Sequence, residues 1–315
     1  MSFLFPELCP DRRQVMGAGV GALSALALGS AAAAQGDNAQ TWTLDDPATN
    51  LLTLLKFRAD TSGADVLAAF PGEAWSMVPE EGNRRLFKTF GIGSSHIEER
   101  PEGWRVYHRE VLYYLDPETG EIVNEWYNPW LERKIEVIPI VNDPVNGTFL
   151  REGTGVLAAP YPYVAYGDDI IFQWNFFLFH KSVLTREEYP LYSQSNYQQH
   201  AELWGVQGRR SQAMDPNVTS ASSTTSWSRV APWMPWLEMG NRPGIVVYHS
   251  HSYKVTGGPG DLPPKILAYT EKNYPDYLTS PKEWVDPSGN QSSYVGFKKI
   301  IDARRAAAQQ PAGTP

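Results

Sequence analysis

Six histidines, His96, His108, His180, His200, His249 and His251, are the side chains of this 315-residue chain best suited to move protons near neutral pH or to hold a metal. Two pairings stand out, because residues two apart on a strand share a face. His249 and His251 would point the same way, together with Ile245, Val247 and Tyr253. Such a pair can grip one metal ion if another strand supplies a third ligand, for instance His108 or Glu110. No H-E-x-x-H helix motif accompanies it, and a hydrogen-bonded pair lining a cavity accounts for the same residues without a metal. His108 and Glu110 flank Arg109, so one strand face would carry the imidazole and the carboxylate while the other presents Arg109 with Tyr107 and Tyr113. When buried, a carboxylate beside an imidazole forms a general acid–base pair; on an exposed face the same residues make a cross-strand ion pair. The candidate catalytic residues are therefore His108, Glu110 and His249, and the candidate metal ligands are His249 and His251.

A second set of residues suits ligand binding. Gln173, Trp174 and Asn175 interrupt the apolar runs Ile170-Ile171-Phe172 and Phe176-Phe177-Leu178-Phe179. A buried amide is costly unless hydrogen-bonded, so it either closes a structural network or meets a ligand. Gln173 and Asn175 would share a face, as a pocket floor does. Trp227, Arg229, Trp233 and Trp236 gather indoles around one cation. Pro232 and Pro235 keep this segment out of a central strand and favour a lid over a cavity mouth. With Tyr248, these residues make the expected lining, in which Gln173, Asn175, His249 and Arg229 converge. In Asn142-Asp143-Pro144-Val145-Asn146-Gly147 the side chains suit a turn, and Asp143 would act as an acid only if it faced the cavity.

The elements that must position these groups are mostly strands. Asp46 is placed to cap a helix with Pro47 in its first turn and an apolar stripe through Leu51, Leu52, Leu54 and Leu55 up to Arg58. The period then changes to two. Strands are expected at about 86–98, 104–115, 121–128, 134–141, 169–179, 198–206, 224–230 and 244–255, separated by turns such as Asp116-Pro117-Glu118-Thr119-Gly120. Helices follow at about 262–273 and 294–308. Strands at this spacing must close on themselves or pair with a second sheet to protect their edges. The expected fold is mainly β: an antiparallel lipocalin-like, calycin-type barrel or closed meander with an N-terminal helix and two C-terminal helices.

Arg12-Arg13, the Gly- and Ala-rich apolar stretch that follows and the Ala32-Ala33-Ala34 run read as a twin-arginine signal peptide over residues 1–34, cleaved near Ala34. A 35–308 β-rich domain and a disordered tail at 309–315 complete the expected organisation. The protein would be periplasmic, with the twin-arginine translocase as its partner during export and no membrane span after leader removal. The only cysteine, Cys9, would leave with the leader, which excludes a disulfide, a thiol nucleophile and cysteine-bound metal in the mature chain. A formal net charge of −8 without a Lys/Arg run argues against nucleic acid and anionic membrane surfaces. G-x-S-x-G, G-x-x-x-x-G-K and a well-placed G-x-G-x-x-G are all missing, and Gly91-Ile92-Gly93 stands alone. No cofactor is called for, a bound metal ion excepted.

Two blocks carry a family resemblance. His108-Arg109-Glu110-Val111-Leu112-Tyr113-Tyr114-Leu115-Asp116-Pro117-Glu118-Thr119-Gly120 with Val141-Asn142-Asp143-Pro144-Val145-Asn146 form one. Trp227-Ser228-Arg229-Val230-Ala231-Pro232-Trp233-Met234, Met239-Gly240-Asn241-Arg242-Pro243-Gly244, Tyr248-His249-Ser250 and Phe297-Lys298-Lys299 form the other. They resemble the bacterial family filed as domain of unknown function 1838, and the likeness extends from Leu51 to about Asp302. The resemblance implies no activity or catalytic residue. Eleven tryptophans and sixteen tyrosines suit a cavity for a small, partly apolar molecule. Three functions fit: a cofactor-independent lyase, isomerase or hydrolase of a hydrophobic or aromatic compound, a non-catalytic periplasmic carrier, or a metal enzyme built on His249 and His251.

Overall fold

The alternation of apolar and polar residues that begins after Ala59 builds one long antiparallel sheet. The computed structural model describes residues 44–153, 157–290 and 292–309; the leader expected over 1–34 and residues 310–315 of the expected tail lie outside them. In chain order the elements are α1 (Pro47–Arg58), β1 (Val66–Met77), β2 (Arg84–Arg100), β3 (Gly103–Leu115), β4 (Glu125–Asn128), β5 (Arg133–Glu136), β6 (Ile140–Asn142), β7 (Gly147–Leu150), β8 (Tyr163–Tyr166), β9 (Asp169–Lys181), β10 (Tyr197–Arg209), α2 (Arg210–Met214), β11 (Ser223–Ala231), β12 (Ile245–Lys254), α3 (Pro264–Asn273) and α4 (Ser293–Gln309). The sheet order is β6, β3, β2, β1, β12, β11, β10, β9, β8, with β7 also on β3, while β4 and β5 form a separate hairpin.

This hydrogen-bonded ladder is open, so it is a mainly β antiparallel sheet rather than a ladder closed into a barrel. Its two ends are nevertheless bridged. Leu150 on β7 exchanges backbone hydrogen bonds with Leu157 and Ala159 (2.7 and 3.1 Å), and Gln173 on β9 donates to the carbonyl of Pro162 (2.9 Å). Phe149 on β7 packs 5.3 Å from Trp174 on β9.

Residues directly opposite across an antiparallel pair share a face, so the registers define the inner surface. One row runs Tyr114, Thr89, Gly72, Ser250, Trp227, Trp204, Trp174 from β3 to β9. The next runs Phe87, Ala74, Tyr248, Arg229, Glu202, Phe176. Glu110 stands on the same face, opposite Gly93 on one side and Asn142 on the other.

Both ends of this inner surface are packed. At one end Leu51, Leu54, Leu55 and Phe57 of α1 are buried with Ile170, Phe172 and Val206, each such side chain contributing about 2 kcal/mol. Asp46 caps α1 by accepting from the Thr49 amide at 2.8 Å. Its C-terminus is held by Lys254, whose Nζ donates to the carbonyls of Lys56 (2.7 Å), Ala59 (2.8 Å) and Ala221 (3.0 Å) and to Ser220 Oγ (2.7 Å). A cation there satisfies orphan carbonyls and suits the helix dipole. At the other end Phe87, Tyr114, Tyr248, Trp233, Trp236, Phe297 and Ile301 form a second core beneath the β4–β5 hairpin and α4. The outer face of β1 to β3 is covered by α3 and the turn at Pro275–Leu278, through Ile92, Val111, Tyr113, Ile266 and Tyr277.

Candidate functional site: the charged aromatic interior

Trp174, Trp204 and Trp227 stand side by side on adjacent strands, with ring centroids 5.9 Å apart at both steps. Tyr248 continues the wall 6.1 Å from Trp227, and its hydroxyl meets that of Tyr114 at 2.8 Å in the core. Burial pushes both phenols up, Tyr114 to about 12.

Charged side chains stand on this wall. Arg229 faces Glu202 across the β10–β11 ladder, Nη1 to Oε1 3.7 Å, and Trp227 Nε1 donates to Glu202 Oε2 at 3.3 Å. Burial works to lower the Arg229 pKa, but the Tyr294 hydroxyl and Glu202 outweigh it and hold the guanidinium above its ordinary value. His200 Nε2 lies 3.8 Å from Glu202. Burial, Arg229 and His180 together push that imidazole down to about 4, so it is neutral at pH 7 and the contact with Glu202 is not an ion pair there.

Arg58 reaches the same surface from the last residue of α1. Its guanidinium carbon lies 4.9 Å from the Trp174 ring centroid and 5.1 Å from that of Trp204, across both indoles. No hydrogen bond or ion pair engages it among the described residues. Burial lowers its pKa to about 10, with Glu110 and Tyr161 acting in the opposite direction. Further polar atoms on this surface lack a partner, among them Tyr161 Oη, Gln198 Nε2, Trp204 Nε1 and Arg229 Nε.

Glu110 completes the set. His108 Nε2 is 3.3 Å from its Oε2, and Asn142 Nδ2 donates to its Oε1 at 2.7 Å. Asn142 is itself oriented by accepting from the Ser293 amide at the start of α4, at 2.5 Å. The Glu110 side chain is half-buried, with 32% of its surface open to water. Burial works to raise its pKa; the hydrogen bond and charge of His108, the Asn142 amide and Arg229 prevail and hold it below the ordinary carboxyl value. The result is an oriented carboxylate base beside an imidazole.

Room for these groups is made by glycine. The Phe70 ring lies across Gly91, where an added Cβ would run into the ring, and one at Gly93 would come 2.9 Å from His108 Cε1. Gly91-Ile92-Gly93, which fits no phosphate-binding motif, is thus a bed for Phe70 and His108.

The expected site residues divide by strand parity. His108, Glu110, Trp174, Trp227, Arg229 and Tyr248 share the inner face. His249 and His251 instead point outward from β12 and are exposed, with rings 4.8 Å apart and Ser228 Oγ 2.7 Å from His249 Nδ1. The third ligand expected for a metal, His108 or Glu110, lies on the opposite side of the sheet. Among the described residues no three His, Cys, Asp or Glu side chains are placed to hold a metal. Gln173 and Asn175 also face outward and are exposed, and Asn175 Oδ1 accepts from the Trp204 amide at 3.1 Å. The four residues expected to converge therefore do not, since Arg229 alone faces in. Trp233 is not a lid residue: it is buried in the end core, its Nε1 donating to the Arg242 carbonyl at 3.0 Å. Arg109 and Asp143 pair on the outer face (3.3 Å) close to Tyr277.

Sequence reasoning missed Arg58, Tyr161, Glu202 and Trp204. A signal existed for two of them. In the run expected as a strand over 198–206, His200, Glu202, Trp204 and Val206 fall on one parity, and charges alternating in step with Trp and Val mark a buried polar face.

Fold and site together define a class: an antiparallel β protein whose sheet wraps an aromatic interior furnished with arginine, glutamate and histidine. The chain belongs to a protein family of unknown function, DUF1838, whose model matches residues 63–301. That span takes in the strands and most of α4 and leaves Arg58 just outside. No curated protein matches the chain.

Proposed function

We propose that the protein takes a small, partly aromatic molecule into this interior and moves a proton on it, with Glu110 as base, His108 as its proton partner and Asn142 fixing the carboxylate. This is the chemistry of a cofactor-independent lyase, isomerase or hydrolase. One observation carries the reading: an ionised, water-accessible carboxylate is held between an imidazole and an amide on the aromatic, charged inner face of the sheet. A general base needs such access to its substrate, and the pairing with an imidazole gives the proton somewhere to go. The bridging of the two sheet ends through residues 157–162 supports a lipocalin-like barrel in function, with a ligand enclosed between the cores at its ends. Residues 1–34 support export by the twin-arginine route and action in the periplasm.

The unpartnered donors favour a second reading, a carrier that binds in the same interior without chemistry. Incubation of wild type and Glu110→Gln with a small-molecule extract, followed by mass spectrometry of bound and free fractions, separates the two. An enzyme depletes a compound that the variant still binds but no longer consumes; a carrier binds it in both forms and consumes it in neither. If neither form binds or depletes any compound, the interior is not a ligand site.

A further inference from the structure

The inner surface holds two arginines and two glutamates, but only three of these charges have partners. Glu202 is engaged by Arg229 and Trp227. Glu110 is engaged by His108 and Asn142. Arg58 has neither a carboxylate within ion-pair distance nor a hydrogen-bond acceptor among the described residues, and its contacts are the two indoles. A guanidinium carries five donors in a rigid fork; Arg58 is half-buried, so its fork is open to an incoming acceptor. Two polar groups beside it also lack partners: the Tyr161 hydroxyl, which can donate or accept and whose charge interaction with Arg58 marks their closeness, and Trp204 Nε1, a donor on an indole that Arg58 covers. Among the described residues, the guanidinium fork, the indole N–H and the phenol thus stand together with no carboxylate in ion-pair range of Arg58, a set that suits an incoming anion.

We infer that the ligand is an organic acid, a carboxylate on an aromatic or otherwise apolar body, and that Arg58, Tyr161 and Trp204 form its recognition site. The inference rests on the interior being a ligand site, as proposed above. A carboxylate is favoured over a bulkier anion because its two oxygens match the guanidinium fork in one plane, and Trp174, Trp204, Phe149 and Phe176 give the remainder of the ligand flat apolar surfaces. Glu110, within electrostatic reach of Arg58, would then face the body of the acid. Arg58 is thereby a specificity residue, which binds and orients the acid and takes no proton.

The test is calorimetric titration of the full chain with benzoate, 1-naphthoate and indole-3-acetate, each against its neutral primary amide, and with inorganic phosphate. Wild type, Arg58→Gln and Arg58→Lys are compared, with thermal unfolding as a folding control. At least one acid should bind wild type about tenfold or more tighter than its amide. Arg58→Gln should abolish that preference while leaving amide binding unchanged, and Arg58→Lys should retain part of it. If Arg58→Gln does not fold, Arg58→Lys decides, with a loss of about threefold to tenfold expected for the acid alone. Equal binding of acids and amides by wild type, an acid preference that survives in Arg58→Gln, or tight binding of phosphate with no aromatic acid bound would overturn the inference while leaving the interior site standing. Failure of every acid and amide to bind would overturn both.

Discussion

His200 and Glu110 show how burial tunes single groups here. His200 stays neutral in the folded protein down to about pH 4, whereas an unfolded histidine takes a proton near its ordinary 6.5. Between those values the unfolded chain binds more protons, so stability should fall as pH drops through the window. The loss is on the order of 3 kcal/mol, readable as a falling urea midpoint, and His200→Gln should flatten it; an unchanged slope in the variant would show that His200 is solvated. Glu110 shifts the other way, below the ordinary carboxyl value. Its contribution is present above about pH 4.5 and is lost as pH falls through the lowered folded value. Any proton-transfer activity should therefore persist to mildly acidic pH and be absent from Glu110→Gln across the whole range. Which of these residues mattered was partly legible: the pairing of His108 with Glu110 on one strand face followed from spacing alone. Arg58 was not legible, because a basic residue at the last position of a helix normally serves the helix dipole, and only the tertiary fold turns this one onto two tryptophans.

At the scale of elements, most strands and three of the four helices follow from periodicity and turn chemistry. The Asp116–Gly120 turn is an example: Asp116 Oδ1 accepts from the Glu118 and Thr119 amides at 2.9 and 2.7 Å, and Gly120 takes a φ of +72°. β1 was missed, although it lies between β2 and β12, because Pro71-Gly72 breaks its pattern. The β1–β12 register lapses at Phe70 and Pro71 and resumes at Gly72, so the ring that cannot donate sits where the ladder is interrupted. Parity failed on β9 for a different reason. That strand is apolar on both faces, with Phe177 78% and Phe179 68% exposed, so alternation identified two sets without saying which faced in. Two substitutions probe the elements that shape the interior. Gly91→Ala should destabilise by about 2 kcal/mol through the Phe70 ring, and considerably less in a Phe70→Ala background, which a double-mutant cycle by denaturant unfolding would measure. Lys254→Met should cost about 3 kcal/mol by orphaning the carbonyls at the end of α1, and amide exchange in α1 should accelerate ahead of the sheet.

At the scale of the described chain, the sheet presents a polar, aromatic inner face that is packed at both ends and bridged between β7 and β9. The outer face of β9 to β12 carries the expected metal pair His249 and His251 and the expected pocket floor Gln173 and Asn175, and the inner face carries the expected acid–base pair His108 and Glu110 with Arg229, joined by Glu202 and Trp204, which were not expected. No helix among the described residues is long and apolar enough to cross a membrane. Export through the twin-arginine route predicts that protein recovered from the periplasm begins at Gln35, which N-terminal sequencing would check; an intact Met1 there would contradict it. Under the proposed function, ligand binds on the inner face. Native mass spectrometry of the full chain with the aromatic acids tests this most directly, comparing wild type, Trp204→Ala and His249→Ala. A one-to-one adduct is expected on wild type and His249→Ala and lost from Trp204→Ala; an adduct that survives in Trp204→Ala and disappears from His249→Ala would contradict inner-face binding.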